Sequence, residues 1–279
     1  MDYNALINFK IPQKRQKINP LNAVQYALSI GLGQDPIDTW ELQFVDEGNG
    51  PEMIPSYCTV LGHPGFWLSD PKTTVDSQKV VHVDQKINIK GSIPKSGIVV
   101  GKTRIIELVD KGLDKGALLY LEKILSNEDT GEIIAIENRT LMLRGDGGYN
   151  GPSGKAKTVD KFPTDNPDHV IEINTRPEQA LIYRLNGDPN RLHIDPAHAK
   201  KAGFEKPILH GLCTFGIVCQ ILLRTLHKNN HRNFRDMSAR FSKPVFPGEL
   251  IEISIWENGH FNAKVKERDV IVLSNGFIS

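Results

Sequence analysis

From Gly211 to His227 the chain carries Leu212, Phe215, Val218, Cys219, Leu222, Leu223 and Leu226 at helical spacing, so that apolar side chains cover most of the helix circumference. A helix of that kind has no wet face and must be covered on every side. The material around it reads as strand. Met237 to Phe241, Leu250 to Trp256, His260 to Glu267 and Asp269 to Asn275 are strand-like. The alternation in Ile251-Glu252-Ile253-Ser254 predicts a sheet with one solvated face, and Asn258-Gly259 is a hairpin turn by composition. The sequence therefore predicts an α+β unit in which a curved antiparallel sheet wraps a central helix.

The first half offers the same order of elements. Val81 to Ile89, Ile98 to Val109, Ala117 to Ser126 and Glu132 to Leu143 read as strands, and Asn127 to Gly131 as a turn. At an offset of 153, Ala27, Leu28, Leu32, Asp35 and Pro36 meet Ala180, Leu181, Leu185, Asp188 and Pro189. Two copies of one unit are expected, 1–143 and 169–279. The Gly-, Pro-, Asp- and Lys-rich segment 144–168 forms a surface linker between them. One element is missing from the first copy. Where its long helix belongs, the chain reads SYCTVLGHPGFWLSD after Pro55, and Gly62, Pro64 and Gly65 cannot sit inside a stable helix. The N-terminal unit is expected to lack most of its central helix. Leu61, Phe66, Trp67 and Leu68 then either line an apolar slot or plug the gap.

The segment Tyr183 to Thr214, YRLNGDPNRLHIDPAHAKKAGFEKPILHGLCT, concentrates Asp188, Asn190, His193, Asp195, His198 and His210 on mostly loop-forming sequence. It follows a helix expected to be capped by Thr175, with Pro177 in its first turn and an end near Asn186-Gly187. Asp188 lies just past that end, and His193 five residues on. Such a carboxylate and imidazole can hold one water between them, with a base for one proton and an acid to deliver another. Plainer readings compete. Asp188 before Pro189 is also a turn aspartate, and His193 between Leu192 and Ile194 could be a core histidine. Asp195-Pro196 reads as a helix cap for Ala197 to Ala202. A metal site from His193, Asp195 and His198 has no strong ligand spacing. Cys213 and Cys219 read as core, and there is no G-x-S-x-G nucleophile motif.

The 34 basic and 33 acidic side chains nearly cancel, which argues against a nucleic-acid or acidic-membrane partner. Three cysteines fit a reducing compartment. The start lacks a signal-peptide core, and no apolar run is long enough to cross a bilayer.

YRLNGDPNRLHIDPAHA resembles the signature of hydratase 2, the (R)-specific 2-enoyl-CoA hydratases. KPILHGLCTFG and FSKPVFPGELI are similar to the MaoC-like hot-dog family that contains them, the hydratase 2 region of fungal peroxisomal multifunctional enzymes of type 2 being the nearest form. Two positions depart from the usual form: Asn186, where a small residue such as Ser is common, and Arg191, where Pro is common. The resemblance implies two hot-dog units and hydration of trans-2-enoyl-CoA to (3R)-hydroxyacyl-CoA in fatty-acid β-oxidation. No metal and no cofactor is implied beyond the CoA of the substrate. It also implies a homodimer and a peroxisomal location, although the chain ends without an S-K-L-type tripeptide. By the same resemblance Asp188 and His193 are the catalytic pair, Asn190 orients them or the water, and the Gly211 backbone N–H receives the oxyanion. The slot at Leu61, Phe66, Trp67 and Leu68 would take the acyl tail. Asp35 aligns with Asp188, but Trp40 stands where the histidine should be, so a second active site is not expected. The rivals are a hot-dog acyl-CoA thioesterase and a non-catalytic acyl-CoA-binding module.

Overall fold

The computed structural model describes residues 1–153, 162–227 and 230–279. The first half contributes α1 (Tyr3–Ile7), β1 (Lys14–Ile18), α2 (Pro20–Ser29), α3 (Thr39–Val45), β2 (Val80–Ile89), β3 (Gly97–Asp110), β4 (Ala117–Asn127) and β5 (Ile133–Leu143). The second contributes β6 (His169–Asn174), α4 (Gln179–Tyr183), α5 (Pro196–Lys201), α6 (Gly211–Thr225), β7 (Asp236–Phe241), β8 (Leu250–Ile255), β9 (His260–Val265) and β10 (Val270–Ile278). All ten strands form one antiparallel sheet in the order β1-β3-β4-β5-β2-β7-β10-β9-β8-β6. The halves meet edge to edge at β2 and β7, with Asp84 opposite Arg240. There the guanidinium donates to both carboxylate oxygens, at 2.9 and 3.1 Å.

The helix that the sequence requires to be covered is α6, and every residue from Cys213 to Leu223 is buried. One side packs on sheet residues such as Met237, Ile251, Ile253, Phe261 and Val265, which share its core cluster. The other side meets α2. A Cβ on Gly216 would stand 2.6 Å from Ile30 Cγ2 and 2.9 Å from Tyr26 Oη, so only glycine lets the two helices approach this closely.

In the first half, a 3-10 turn at Pro55–Thr59 stands where the second half has α6. The segment cannot continue as a helix because Gly62, at φ 59°, lies against the β3 backbone; a Cβ there would meet Gly101 N at 2.7 Å. The truncated end leaves carbonyls that a longer helix would have satisfied. Buried cations take them. Lys123 Nζ donates to Cys58 O at 3.0 Å and Leu61 O at 2.5 Å, and Arg139 donates to Thr59 O at 2.9 Å. The buried Glu137 carboxylate pairs with both cations, as a buried charge requires.

Several expectations need correction. Thr175 does not cap α4. It is buried, its hydroxyl donates to Glu249 O and it accepts from Gly248 N–H, so it ties the preceding strand to the β7–β8 loop. The edge strands β1 and β6 were not expected, because KRQKI carries too many charges and HVIEIN is too short to stand out. Leu61, Phe66, Trp67 and Leu68 do not meet in one slot. Leu61 is in the main core. Leu68 joins a separate cluster with Leu6, Leu108, Leu119 and Leu143, against which Trp67 packs. Phe66 is 57% exposed. Residues 154–161 of the expected linker lie outside the described residues.

Candidate active site

The chain leaves α4 through a 3-10 turn at Arg184–Asn186, and Gly187 reverses it in the left-handed region at φ 105°. The reversal delivers Asp188 to the surface with its side chain 52% exposed. Asp188 Oδ1 accepts from Asn190 N–H at 3.1 Å. The Asn190 amide oxygen in turn accepts from Leu192 N–H at 3.0 Å, capping the 3-10 turn Arg191–His193 that carries the imidazole. Asn190 thus fixes the local spacing of the pair.

His193 Nδ1 lies 2.8 Å from the Ile208 carbonyl oxygen. A carbonyl can only accept, so Nδ1 carries the hydrogen and Nε2 presents a lone pair. Burial holds the His193 imidazole below its ordinary pKa, which keeps it neutral near pH 7. Asp188, His193 and His210 each bring one side-chain oxygen or nitrogen into a group whose members lie within 4.8 Å of one another.

His210 is the residue that sequence reasoning left unassigned. It is 2% exposed, and its ring is sandwiched between His193, 3.7 Å away between centroids, and Tyr183 at 5.0 Å. Its Nε2 stands 4.0 Å from Asp188 Oδ2. Burial, reinforced by the neighbouring His193, pushes its pKa down to about 2. Neither ring nitrogen makes a hydrogen bond of good geometry among the described residues, and its polar neighbour is the Asp188 backbone. The available signal was its place directly before the buried helix, in LHGLC.

His210 is also the N-cap residue of α6, and no side chain caps that helix. Its carbonyl accepts from Cys213 and Thr214 N–H. Gly211 is exposed at the first helical position, where backbone N–H groups have no intrahelical partner. A Cβ at Gly211 would reach the Phe241 ring at 3.1 Å. Phe241 packs against His82 of β2 with the rings tilted and 4.8 Å between centroids, so the first half supports the site from behind. A neutral base, a carboxylate and an open helix N-terminus therefore lie side by side in the second half. Such a set can activate a water and stabilise an oxyanion.

The other candidates fall elsewhere. Asp195 accepts from Ala197 and His198 N–H and pairs with Arg191, as a cap should. Cys58, Cys213 and Cys219 are buried free thiols. In the first half, Asp35 accepts from Ile37 N–H, while Trp40 packs on Arg224 and Phe44. Among the described residues no imidazole joins them.

Two family models match the chain: the MFE-2 hydratase 2 N-terminal domain over residues 17–145, and the MaoC-like domain over 159–276. The protein named peroxisomal enoyl-CoA hydratase 2 of Arabidopsis thaliana is 37% identical over 97% of this chain and 93% of its own length. The peroxisomal multifunctional enzyme type 2 of Mus musculus is 32% identical over 98% of this chain, which spans 38% of that protein. The crystal structure of a MaoC-like dehydratase from Phytophthora capsici superposes with a TM-score of 0.85 at 30% identity, covering 100% of this chain and 98% of that one. Motif, double-unit sheet and site geometry agree with these matches, and the chain belongs to the MaoC-like hydratase 2 family.

Proposed function

We propose that this chain adds water across the double bond of trans-2-enoyl-CoA thioesters to give (3R)-hydroxyacyl-CoA, as a hydro-lyase of fatty-acid β-oxidation. The observation that carries the reading is the convergence of Asp188 and His193, within 4.8 Å, beside the uncapped start of α6. The His193 Nε2 lone pair and the Asp188 carboxylate are both acceptors, so a water between them gives one hydrogen to each and turns its oxygen lone pair toward C3. As the C3–O bond forms, one acceptor takes a water proton, and charge moves to the thioester oxygen, where the Gly211 N–H receives it. The captured proton then passes to C2. Asn190 holds the pair in register, and His210 is the floor on which His193 rests.

No cofactor enters this chemistry, since CoA arrives with the substrate. Residues 169–279 supply the acid/base groups. Residues 1–143 supply the opposing wall, and 144–168 join them. A cavity of about 170 Å³ borders the catalytic loop, lined by Gln16, Asn22, Gln25, Tyr57, Val60, Leu185, Asn186 and Gly187. It offers the acyl tail a path toward the first half in place of the slot at Leu61 to Leu68. The plant and mouse relatives are named peroxisomal, and we place this chain in the same compartment, as a homodimer. Among the described residues no helix is long and apolar enough to cross a membrane.

The test is loss of the enoyl thioester absorbance with trans-2-decenoyl-CoA, followed by chiral analysis of the product. Mainly 3S product, or release of free thiol without hydration, would overturn the assignment.

A further inference from the structure

We infer that Ser29, in the first half, is a positioning residue for the hydration site: its hydroxyl holds the turn that delivers Asp188, and its carbonyl holds the first turn of α6. Gln25 and Ser29 are four residues apart on α2 and so stand on one face of that helix. That face meets the turn Arg184–Asn186, through which the chain leaves α4. Gln25 Nε2 donates to Leu185 O at 2.8 Å and to Asn186 Oδ1 at 3.4 Å. Ser29 Oγ accepts from Asn186 Nδ2 at 2.8 Å. Asn186 is one of the two motif positions at which this sequence departs from the usual form, and Asp188 follows it by two residues.

Donor and acceptor chemistry fixes the direction of each contact. The Asn186 amide nitrogen has two hydrogens; one goes to Ser29 Oγ and the other to Tyr183 O at 2.9 Å. Turned over, the amide would set its oxygen against the Tyr183 carbonyl, two acceptors with no hydrogen between them. Ser29 gives its own hydroxyl hydrogen to Tyr26 O at 2.7 Å, so it offers Asn186 a lone pair. Ser29 is fully buried, where an unmade hydrogen bond costs stability. It is also the last residue of α2, so its carbonyl has no partner inside the helix. The second half supplies donors to it: Gln179 Nε2 at the start of α4, at 2.5 Å, and Cys213 Sγ of α6, at 3.4 Å. Cys213 lies two residues past Gly211, as Asn186 lies two before Asp188. One buried residue of the first half therefore sets how the carboxylate's turn stands against the start of α6. A misplacement of about 1 Å between such groups can cost about 10²-fold in rate. The hydrogen bonds stand on the geometry alone; their effect on catalysis rests on the hydratase reading above.

The experiment compares the full chain with Ser29→Ala, Asn186→Ala and the double variant. Alanine suits a helix and keeps the carbonyl contacts of residue 29. Ser29 does not line the cavity beside Gly187, so its loss acts through Asn186 and not through the tail path. Hydration of crotonyl-CoA and decenoyl-CoA is followed by absorbance, unfolding by thermal melts, and amide exchange of residues 184–190 by mass spectrometry. In Ser29→Ala, kcat should fall roughly three- to tenfold, the equivalent of one hydrogen bond, on both substrates alike and with KM nearly unchanged. Exchange in 184–190 should quicken. The double variant should lose no more kcat than Asn186→Ala alone, since a shared contact is lost only once. Full kcat in Ser29→Ala, even with a lower Tm, overturns the inference, as do effects that multiply in the double variant. If the parent chain hydrates both substrates and the variants match it, this inference fails alone. If the parent hydrates neither, the hydratase reading fails, and exchange decides the rest: faster exchange in Ser29→Ala upholds Ser29 as the residue holding the turn, and unchanged exchange overturns it.

Discussion

His193 and His210 stack ring on ring, 3.7 Å between centroids and 26° from parallel, with the Asp188 carboxylate at their edge. The stack separates two jobs. His193 keeps a lone pair aimed outward because its other nitrogen is tied to Ile208. His210, pressed between it and Tyr183, fixes the height at which that lone pair is presented.

Asp188→Asn or His193→Gln should leave the fold intact and cut hydration severely. Removing one general acid or base costs about 10²–10⁴-fold, and a pair acting together can lose more. Asp195→Ala is the control. It deletes a cap accepting two backbone N–H groups and should cost about 0.5–2 kcal/mol of stability with little change in kcat. Circular dichroism and steady-state rates on the three proteins decide it; near-full kcat in a folded His193→Gln would remove His193 from the mechanism.

Acid should act on this protein through buried neutral histidines. Burial pushes His210 down to about 2 and His82 down to about 3, whereas an unfolded chain titrates near 6.5. Below that value the unfolded state binds protons that the native state refuses, so stability is complete above about pH 6.5 and falls as the pH drops. Each such histidine adds to the loss as the pH falls below about 6.5 toward its native value. Thermal melts from pH 7 to 4 should show the decline, and His82→Phe should flatten it. The acid limb of kcat/KM should likewise lie below 6.5, because burial lowers the His193 pKa as well. An acid limb above that value would contradict the neutral-base assignment.

Much of this was legible in the sequence for physical reasons. An all-round apolar helix has one solution, and α6 is buried as its pattern demands. Asp195-Pro196 caps α5 because that pair does so almost anywhere. What the sequence hid was long-range contact. Thr175 has the composition of a cap, but its hydroxyl finds Glu249, 74 residues away. Leu61 and Leu68 are close in the chain but belong to different clusters, because Gly62 pins the backbone to β3 and the chain then turns outward. His210 carries no local signature of its ring stack, since Tyr183 and His193 reach it from separate turns.

Two glycines on α6 should respond to alanine in opposite ways. At Gly211 a Cβ meets the Phe241 ring at 3.1 Å. The ring can shift by a few tenths of an ångström, so the protein should fold, while the thioester oxygen is kept from the N–H. Losing an oxyanion donor costs about 10²–10³ in kcat, so a drop toward that range with little change in Tm is expected. At Gly216 a Cβ lands 2.6 Å from Ile30, and overpacking of this kind costs about 1–3 kcal/mol. Gly216→Ala should melt earlier but keep its kcat while folded. If Gly211→Ala kept full kcat, the oxyanion contact would lie elsewhere.

The last expectation concerns the acyl tail. The open-sided cavity beside Gly187 measures about 170 Å³ and is bordered by both apolar and amide side chains, so it offers room for part of a medium-length tail. Each methylene that enters should improve binding by up to about 0.8 kcal/mol, less where the amides of Gln16, Asn22, Gln25 and Asn186 border the path. KM should therefore fall from crotonyl-CoA to medium-chain enoyl-CoAs and then level off. Val60 lines this cavity from the turn that replaces the missing helix. Val60→Phe should fill it, raising KM for decenoyl-CoA several-fold while leaving crotonyl-CoA nearly unchanged, as expected when only the longer tail reaches the cavity. A substitution that hurt both substrates equally would mean that the tail leaves by another route. The first half would then act on catalysis only through the wall it builds behind Phe241.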